Sequence, residues 1–188
     1  MNASRSLLLN PSDSMVVVVD IQQRLTAVMP HNVGEQVITR VKQLIIAANT
    51  LAVPIVVTEQ YPKGLGPTEA ELVSELDDAT MIEKTNFSCV KAEGFSEKIE
   101  LLKRKQIILV GMECHICILQ TAIDLMARDF QVYIVSDGVS SRTKDNYNNG
   151  LQRMRDAGVI ITNLESVIFE WLGDAKHPQF KTLAKLIV

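Results

Sequence analysis

Aromatic side chains are scarce in this sequence, with one Trp, three Tyr and five Phe in 188 residues. That leaves little for the stacking platforms on which single-stranded nucleic acids lie. A basic face is missing as well: 19 Lys and Arg stand against 22 Asp and Glu, for a formal net charge of -3. Nucleic acid is therefore not an expected partner, because non-specific binding depends on neutralising phosphates with clustered positive charge. Long hydrophobic runs are absent. Runs such as Met15–Val19 and Ile107–Val110 fall far short of the ~20 residues that span a bilayer, so no membrane partner is expected. Three cysteines are an odd number, and a disulfide framework would leave one over. A reducing, intracellular and cytoplasmic setting follows.

What the sequence does have is aliphatic bulk: 47% of residues are hydrophobic, mostly Val, Ile, Leu and Ala. Disorder is excluded, and a chain of this length buries roughly 70% of its unfolded surface without disulfides or a structural metal. One compact domain over residues 1–188 is expected, with residues 1–14 as an N-terminal arm. That arm has one Arg, several Ser and no acid before Asp13, a composition shared with mitochondrial presequences. It lacks their charged amphipathic face, so a plain arm is the first reading and mitochondrial import stays open.

Apolar runs alternate with segments of helical period. Met15–Val19, Pro54–Thr58, Met81–Lys84, Gln106–Gly111, Gln131–Val135 and Val159–Ile161 read as six strands. Helices are expected over Val33–Leu51, Glu69–Leu76 (with Thr68 as N-cap), Phe95–Arg104, Cys114–Arg128, Lys144–Ala157, Ser166–Leu172 and Gln179–Leu186. Strands that are aliphatic on both faces, separated by helices, indicate an α/β fold with a parallel sheet covered on both sides. In such doubly wound sheets, ligands sit beyond the carboxyl ends of the strands where the strand order reverses.

Those strand ends carry the candidate chemistry. The first strand ends at Asp20, the third at Lys84, and the fourth runs into Glu113-Cys114-His115-Ile116-Cys117. A thiolate is the nucleophilic form of cysteine, and a free thiol with a pKa of ~8.5 is mostly protonated at neutral pH. A helix start near Cys114 and the Lys84 ammonium are both expected to lower that value. Asp20 suits a general acid–base role, and backbone N–H groups at the helix start suit an oxyanion hole. Taken singly, each has a bland reading: Asp20 as a turn cap, Lys84 as a solvated charge, Cys117 as a small buried apolar residue.

Two rivals stand beside this reading. Cys114-His-Ile-Cys117 has the dithiol spacing of thioredoxin-like redox proteins, but it follows the fourth strand rather than an early one. The same residues with Cys89 make a weak zinc set, since no second close Cys or His pair completes it. Gly64-Leu-Gly66-Pro67 is a loop turn, not a dinucleotide loop: it follows the second strand, contains a proline and lacks a third glycine. His31 and His177 read as surface residues.

Three blocks together resemble the isochorismatase-like cysteine hydrolases: Val-Val-Val-Asp20-Ile-Gln22, Glu83-Lys84-Thr-Asn-Phe-Ser88 and Gly111-Met-Glu-Cys-His-Ile-Cys117-Ile-Leu-Gln-Thr121-Ala-Ile-Asp124. The segments from Thr58 to Thr68 and from Gly173 to Lys181 are similar to the eukaryotic isochorismatase-domain-containing proteins, a subgroup some of whose members carry a ribonuclease label. The resemblance implies a three-layer Rossmann-like fold with a six-stranded parallel sheet of order 3-2-1-4-5-6. It implies Cys117 as nucleophile, Asp20 as acid/base and Lys84 as thiolate stabiliser. It also implies a cis peptide between Met112 and Glu113 that aims the Glu113 and Cys117 amides into an oxyanion hole.

Hydrolysis of a C–N bond in a small amide-like molecule through a thioester is the activity implied, in a homo-oligomer, dimer or tetramer. Gln22, Gln60, Tyr61 and Ser88 are the candidate substrate-binding residues. Nicotinamidases of the family carry metal-binding histidines after the second strand, where this chain has Glu59-Gln60-Tyr61. No metal and no cofactor are therefore expected. Cys114 stands where many relatives have Thr or Ala, and it is a neighbour that could make Cys117 oxidisable; Cys89 reads as core. Besides a redox protein and a ribonuclease, a catalytically idle interaction protein on the same fold remains as an alternative.

Overall fold

The computed structural model describes residues 6–187. Six parallel strands form one sheet in the order β3-β2-β1-β4-β5-β6. They are β1 (Ser14–Val19), β2 (Ile55–Gln60), β3 (Thr80–Lys84), β4 (Gln106–Met112), β5 (Gln131–Ser140) and β6 (Ile160–Thr162). The helices are α1 (Gln23–Thr26), α2 (Val33–Thr50), α3 (Pro62–Leu65), α4 (Ala70–Val73), α5 (Phe95–Leu101), α6 (Leu119–Met126), α7 (Lys144–Asp156), α8 (Leu164–Leu172) and α9 (Phe180–Ala184).

The aliphatic runs are strands because their alternate side chains feed two separate cores. Val16 and Val18 of β1, Ile108 and Val110 of β4, and Tyr133 and Val135 of β5 pack with α2 and α8. Met15, Val17 and Val19, Ile107 and Leu109, and Val132 and Ile134 pack on the opposite face with α5, α6 and α7. Both central strands, β1 and β4, are buried along their whole length. Strand order reverses between β1 and β4, so their carboxyl ends diverge into loops on opposite faces and leave a crevice between them.

Several boundaries differ from the sequence-based expectation, each for a local reason. Strand β5 continues five residues beyond Val135, through a break in register in which Leu109 pairs with Ile134 but Gly111 pairs with Val139. Polar Ser136, Asp137 and Gly138 fill that irregularity. Asp137 accepts the backbone N–H of Leu164 at 2.9 Å, and Tyr147 donates to the Ser136 carbonyl at 2.9 Å. Thr68 does not cap the next helix. Its N–H and hydroxyl both donate to the Glu59 carboxylate, at 2.6 and 2.7 Å, and Glu69 stands at the cap of the short α4. The helix expected from Cys114 begins instead as a π turn, Cys114–Ile118, before regular α6.

The arm is tied to the sheet by bonds to the Ser6, Leu7 and Leu8 carbonyls, while the first five residues lie outside the described part. Leu9 is buried, its N–H donates to Glu170 at 2.8 Å, and Tyr133 donates to the Leu7 carbonyl at 3.0 Å. No described helix is long and apolar enough to cross a membrane.

Candidate active site

Asp20 follows directly on β1 and takes a left-handed backbone conformation, φ 53°. Only a few per cent of residues other than glycine do so. Its N–H still bonds the Thr58 carbonyl at 3.0 Å, so the turn re-aims the side chain without releasing the chain from the sheet. Beside it, Gly111 of β4 lies opposite Val19 with φ 122°, and an added Cβ would stand 1.9 Å from the Val19 carbonyl oxygen. Only glycine admits that approach of β4 to β1. Two residues on, the Met112–Glu113 peptide is cis, and the π turn carrying Cys117 follows.

This local geometry brings Asp20, Lys84 and Cys117 together from three strand ends. Lys84 Nζ lies 2.6 Å from Asp20 Oδ2 and 3.7 Å from Cys117 Sγ. It also donates to Gln60 Oε1 at 2.6 Å and to the Asn86 and Phe87 carbonyls, each at 3.3 Å. Asp20 Oδ1 accepts the Thr58 hydroxyl at 2.7 Å. The three side chains are nearly sealed from solvent, with exposures of 0% for Asp20, 4% for Lys84 and 6% for Cys117.

Burial raises the Asp20 carboxyl above its ordinary value, against the pull of the Lys84 ammonium and the Thr58 hydroxyl. For Lys84, burial works toward the neutral amine, but Asp20 and the neighbouring thiols outweigh it and the net shift is upward. The two directions disagree about how strongly the pair is ionised. The lysine's is the better supported, because five hydrogen-bond and ionic partners converge on Nζ while the carboxylate keeps charge-assisted bonds on both oxygens.

The expected lowering of the Cys117 pKa does not occur. Burial pushes its thiol up, the Asp20 carboxylate adds to that, and Lys84 only partly opposes it. The helix contribution fails as well, since regular α6 begins at Leu119, two residues beyond the sulfur. Free-state Cys117 is therefore a thiol. The other cysteines are free too. Burial carries Cys89 to about 11 and Cys114 to about 12. Cys114 Sγ faces the Tyr147 carbonyl at 3.8 Å, whereas Cys117 faces Lys84.

The four candidate substrate-binding residues occupy different positions. Gln22 is fully buried and its amide is spent on backbone: it donates to the Gln60 and Gly66 carbonyls at 3.1 and 2.6 Å and accepts the Gln60 N–H at 2.8 Å. It ties the end of β2 to the following loop. Ser88, also buried, donates to Asp124 at 2.7 Å and fixes the loop after β3 to α6. Gln60 holds the Lys84 ammonium and donates to the Thr85 carbonyl at 2.8 Å. Tyr61, 55% exposed, is the one that faces open space. With Lys84, Thr85, Asn86 and Lys91 it lines a cavity of about 460 Å³ beside the site; neither Asp20 nor Cys117 lines it.

Sequence reasoning missed Thr58, whose hydroxyl links Asp20 to Cys89 Sγ, 3.7 Å away. It also missed two contacts behind the nucleophile turn, Glu113 with Arg142 and His115 with Ser141. No signal in the chain marks these, because every pair is distant in sequence. Among the described residues, no group of three or more His, Cys, Asp or Glu is placed to hold a metal ion.

Fold and site together define a doubly wound α/β protein with an acid, an ammonium and a thiol at its topological switch point. The chain belongs to the isochorismatase family of hydrolases: the isochorismatase domain matches residues 14–166. Isochorismatase domain-containing protein 1 of Salmo salar is 37% identical over 178 residues, 94% of this chain but 62% of that one, so the chain spans under two thirds of that relative. Secreted isochorismatase effector Isc1 of Phytophthora sojae is 38% identical over 184 residues, 94% of this chain and 85% of its own.

Among solved structures, the MAR1 ribonuclease of Caenorhabditis elegans superposes with a TM-score of 0.88 at 38% identity, covering 96% of this chain and 92% of its own. Escherichia coli YcaC, described as an octameric hydrolase of unknown specificity, shares the fold with a TM-score of 0.91 at 23% identity over 97% and 90% of the two chains.

Proposed function

We propose that this protein is a cysteine hydrolase that cleaves the C–N bond of a small amide-like molecule through a thioester on Cys117. The observation that carries the reading is the Lys84 ammonium standing between the Asp20 carboxylate, 2.6 Å away, and Cys117 Sγ, 3.7 Å away, in a nearly buried site. Asp20 takes the thiol proton as sulfur attacks the carbonyl carbon, and Lys84 stabilises the negative charge on sulfur. The tetrahedral oxygen faces the amides of Glu113 and Cys117. Asp20 then returns the proton to the departing amine, and a water molecule, deprotonated by Asp20, hydrolyses the thioester to release the acid and restore the thiol.

A raised thiol pKa fits this order. With an ordinary ammonium–carboxylate pair and a neutral thiol, the free site holds no unpaired buried charge, and the proton moves only when substrate offers the anion a new home. Tyr61 and Gln60 are the residues that would meet substrate. A screen of small amides tests the reading: turnover of at least one compound, lost in Cys117→Ala, is expected, and turnover that survives the substitution contradicts it.

One observation favours a second reading, ribonuclease: the 38% identity to the C. elegans protein of that description. RNA cleavage abolished by Cys117→Ala, with binding that weakens steeply as salt rises, would establish it against the acidic composition. Self-association is proposed as well. Val28, Tyr61 and Phe87 are each more than half exposed, apolar surface that a homo-oligomer would cover, and sedimentation velocity decides it. Three buried free thiols suit a reducing, intracellular compartment.

A further inference from the structure

The π turn that carries Cys117 is held from behind by a segment with no part in the chemistry above. Glu113, 6% exposed, accepts at one carboxylate oxygen both the backbone N–H of Arg142, at 3.0 Å, and its guanidinium Nε, at 3.1 Å. His115 Nδ1 and the buried Ser141 hydroxyl lie 2.9 Å apart. Cys114 Sγ meets the Tyr147 carbonyl. Gly150 of α7 is pressed so closely on the turn that an added Cβ would stand 3.0 Å from His115 Cα and 3.1 Å from the Cys114 carbonyl carbon and oxygen. Four successive contacts thus run from residues 113–115 to the segment 141–150, and none of these groups touches Asp20 or Lys84.

From this arrangement we infer that Arg142 and Ser141 are positioning residues: the β5–α7 loop is a clamp that, through Glu113 and His115, keeps Cys117 Sγ inside the closed site and facing Lys84. The inference rests on the proposed role of Cys117. The turn is a π turn, a form that occurs mostly as single turns and often at functional sites, and a displacement of about 1 Å at a reacting atom costs on the order of a hundredfold in rate. Arg142 is half exposed, its side chain 55% accessible, so its removal spares the cores. Its work is geometric: the short Glu113 side chain is fixed by the two donors of one residue, which draws the start of the turn against the loop.

Alkylation by iodoacetamide, read residue by residue by mass spectrometry as a function of pH, tests the clamp without a substrate. In Arg142→Ala and Ser141→Ala the sulfur gains water and leaves its charged neighbours. The midpoint of Cys117 labelling then falls toward the ~8.5 of a free thiol, while Cys89 on the far side of the site stays protected. Glu113→Gln keeps an acceptor for both Arg142 donors and retains the parental midpoint. Parental midpoints in both clamp variants overturn the inference, as does labelling of Cys89 in step with Cys117, which would mean general loosening. Asp20→Asn separates the two levels of the argument: if it leaves the Cys117 profile unmoved, the proposed role of Cys117 fails, whatever the clamp variants do.

Discussion

Asp20 and Lys84 are a buried ion pair whose members have opposite consequences for the thiol beside them. The carboxylate disfavours the thiolate and the ammonium favours it, so the two substitutions are expected to move Cys117 in opposite directions. In Asp20→Asn the labelling midpoint of Cys117 falls, while turnover drops ~10²–10⁴-fold for want of a proton carrier; stopped alkylation and an activity assay read the two. Activity is expected to be lost as pH falls and Asp20 takes up a proton, because the carboxylate is the group that must accept the thiol proton.

Lys84 gives a stability prediction of definite sign. Its folded pKa lies above the unfolded 10.5, so the folded state holds the proton longer. The stabilisation is complete below about 10.5 and is lost as pH rises through the folded value. Melting temperatures measured from pH 9 upward should fall more steeply for the parent than for Lys84→Met.

At the scale of elements, the site depends on how closely β1 and β4 approach. Gly111→Ala places a Cβ 1.9 Å from the Val19 carbonyl at a φ of 122°, so backbone strain and overpacking add. A loss of about 2–5 kcal/mol in urea unfolding is expected. The central strands were readable in the sequence because Met15–Val19 and Ile107–Val110 are buried on both faces, and continuous aliphatic runs have little other use. The end of β5 was not, since the partners of Ser136 and Asp137, Tyr147 and Leu164, lie far along the chain. The π turn was hidden for another reason: Ile118, Thr121, Ala122 and Leu125 keep a helical period whichever hydrogen-bond ring opens the helix. Gln22 anchors backbone and Ser88 holds Asp124 of α6, partners that a polar residue beside a motif does not reveal in sequence.

Over the whole molecule, strand order converts a linear pattern into a site. Asp20, Lys84 and Cys117 are separated by 64 and 33 positions, and the reversal between β1 and β4 gathers them at one edge. The opposite edge is closed by the arm, through Leu9, Glu170, Tyr133 and Gln106. Leu9→Ala should cost about 2 kcal/mol or more in unfolding free energy and leave the Cys117 labelling profile as it is, because Leu9 and Cys117 belong to the two different cores.

The central claim is that Cys117 carries the acyl group. Its most direct test is intact and peptide mass spectrometry of the protein quenched during reaction with a small activated acyl compound such as p-nitrophenyl acetate. An acyl mass on Cys117 that decays as the acid is released, and that is absent from Cys117→Ala, is the predicted result. Acylation of Cys114 in place of Cys117, or release of the acid with no adduct on Cys117 and undiminished rate in Cys117→Ala, would contradict it.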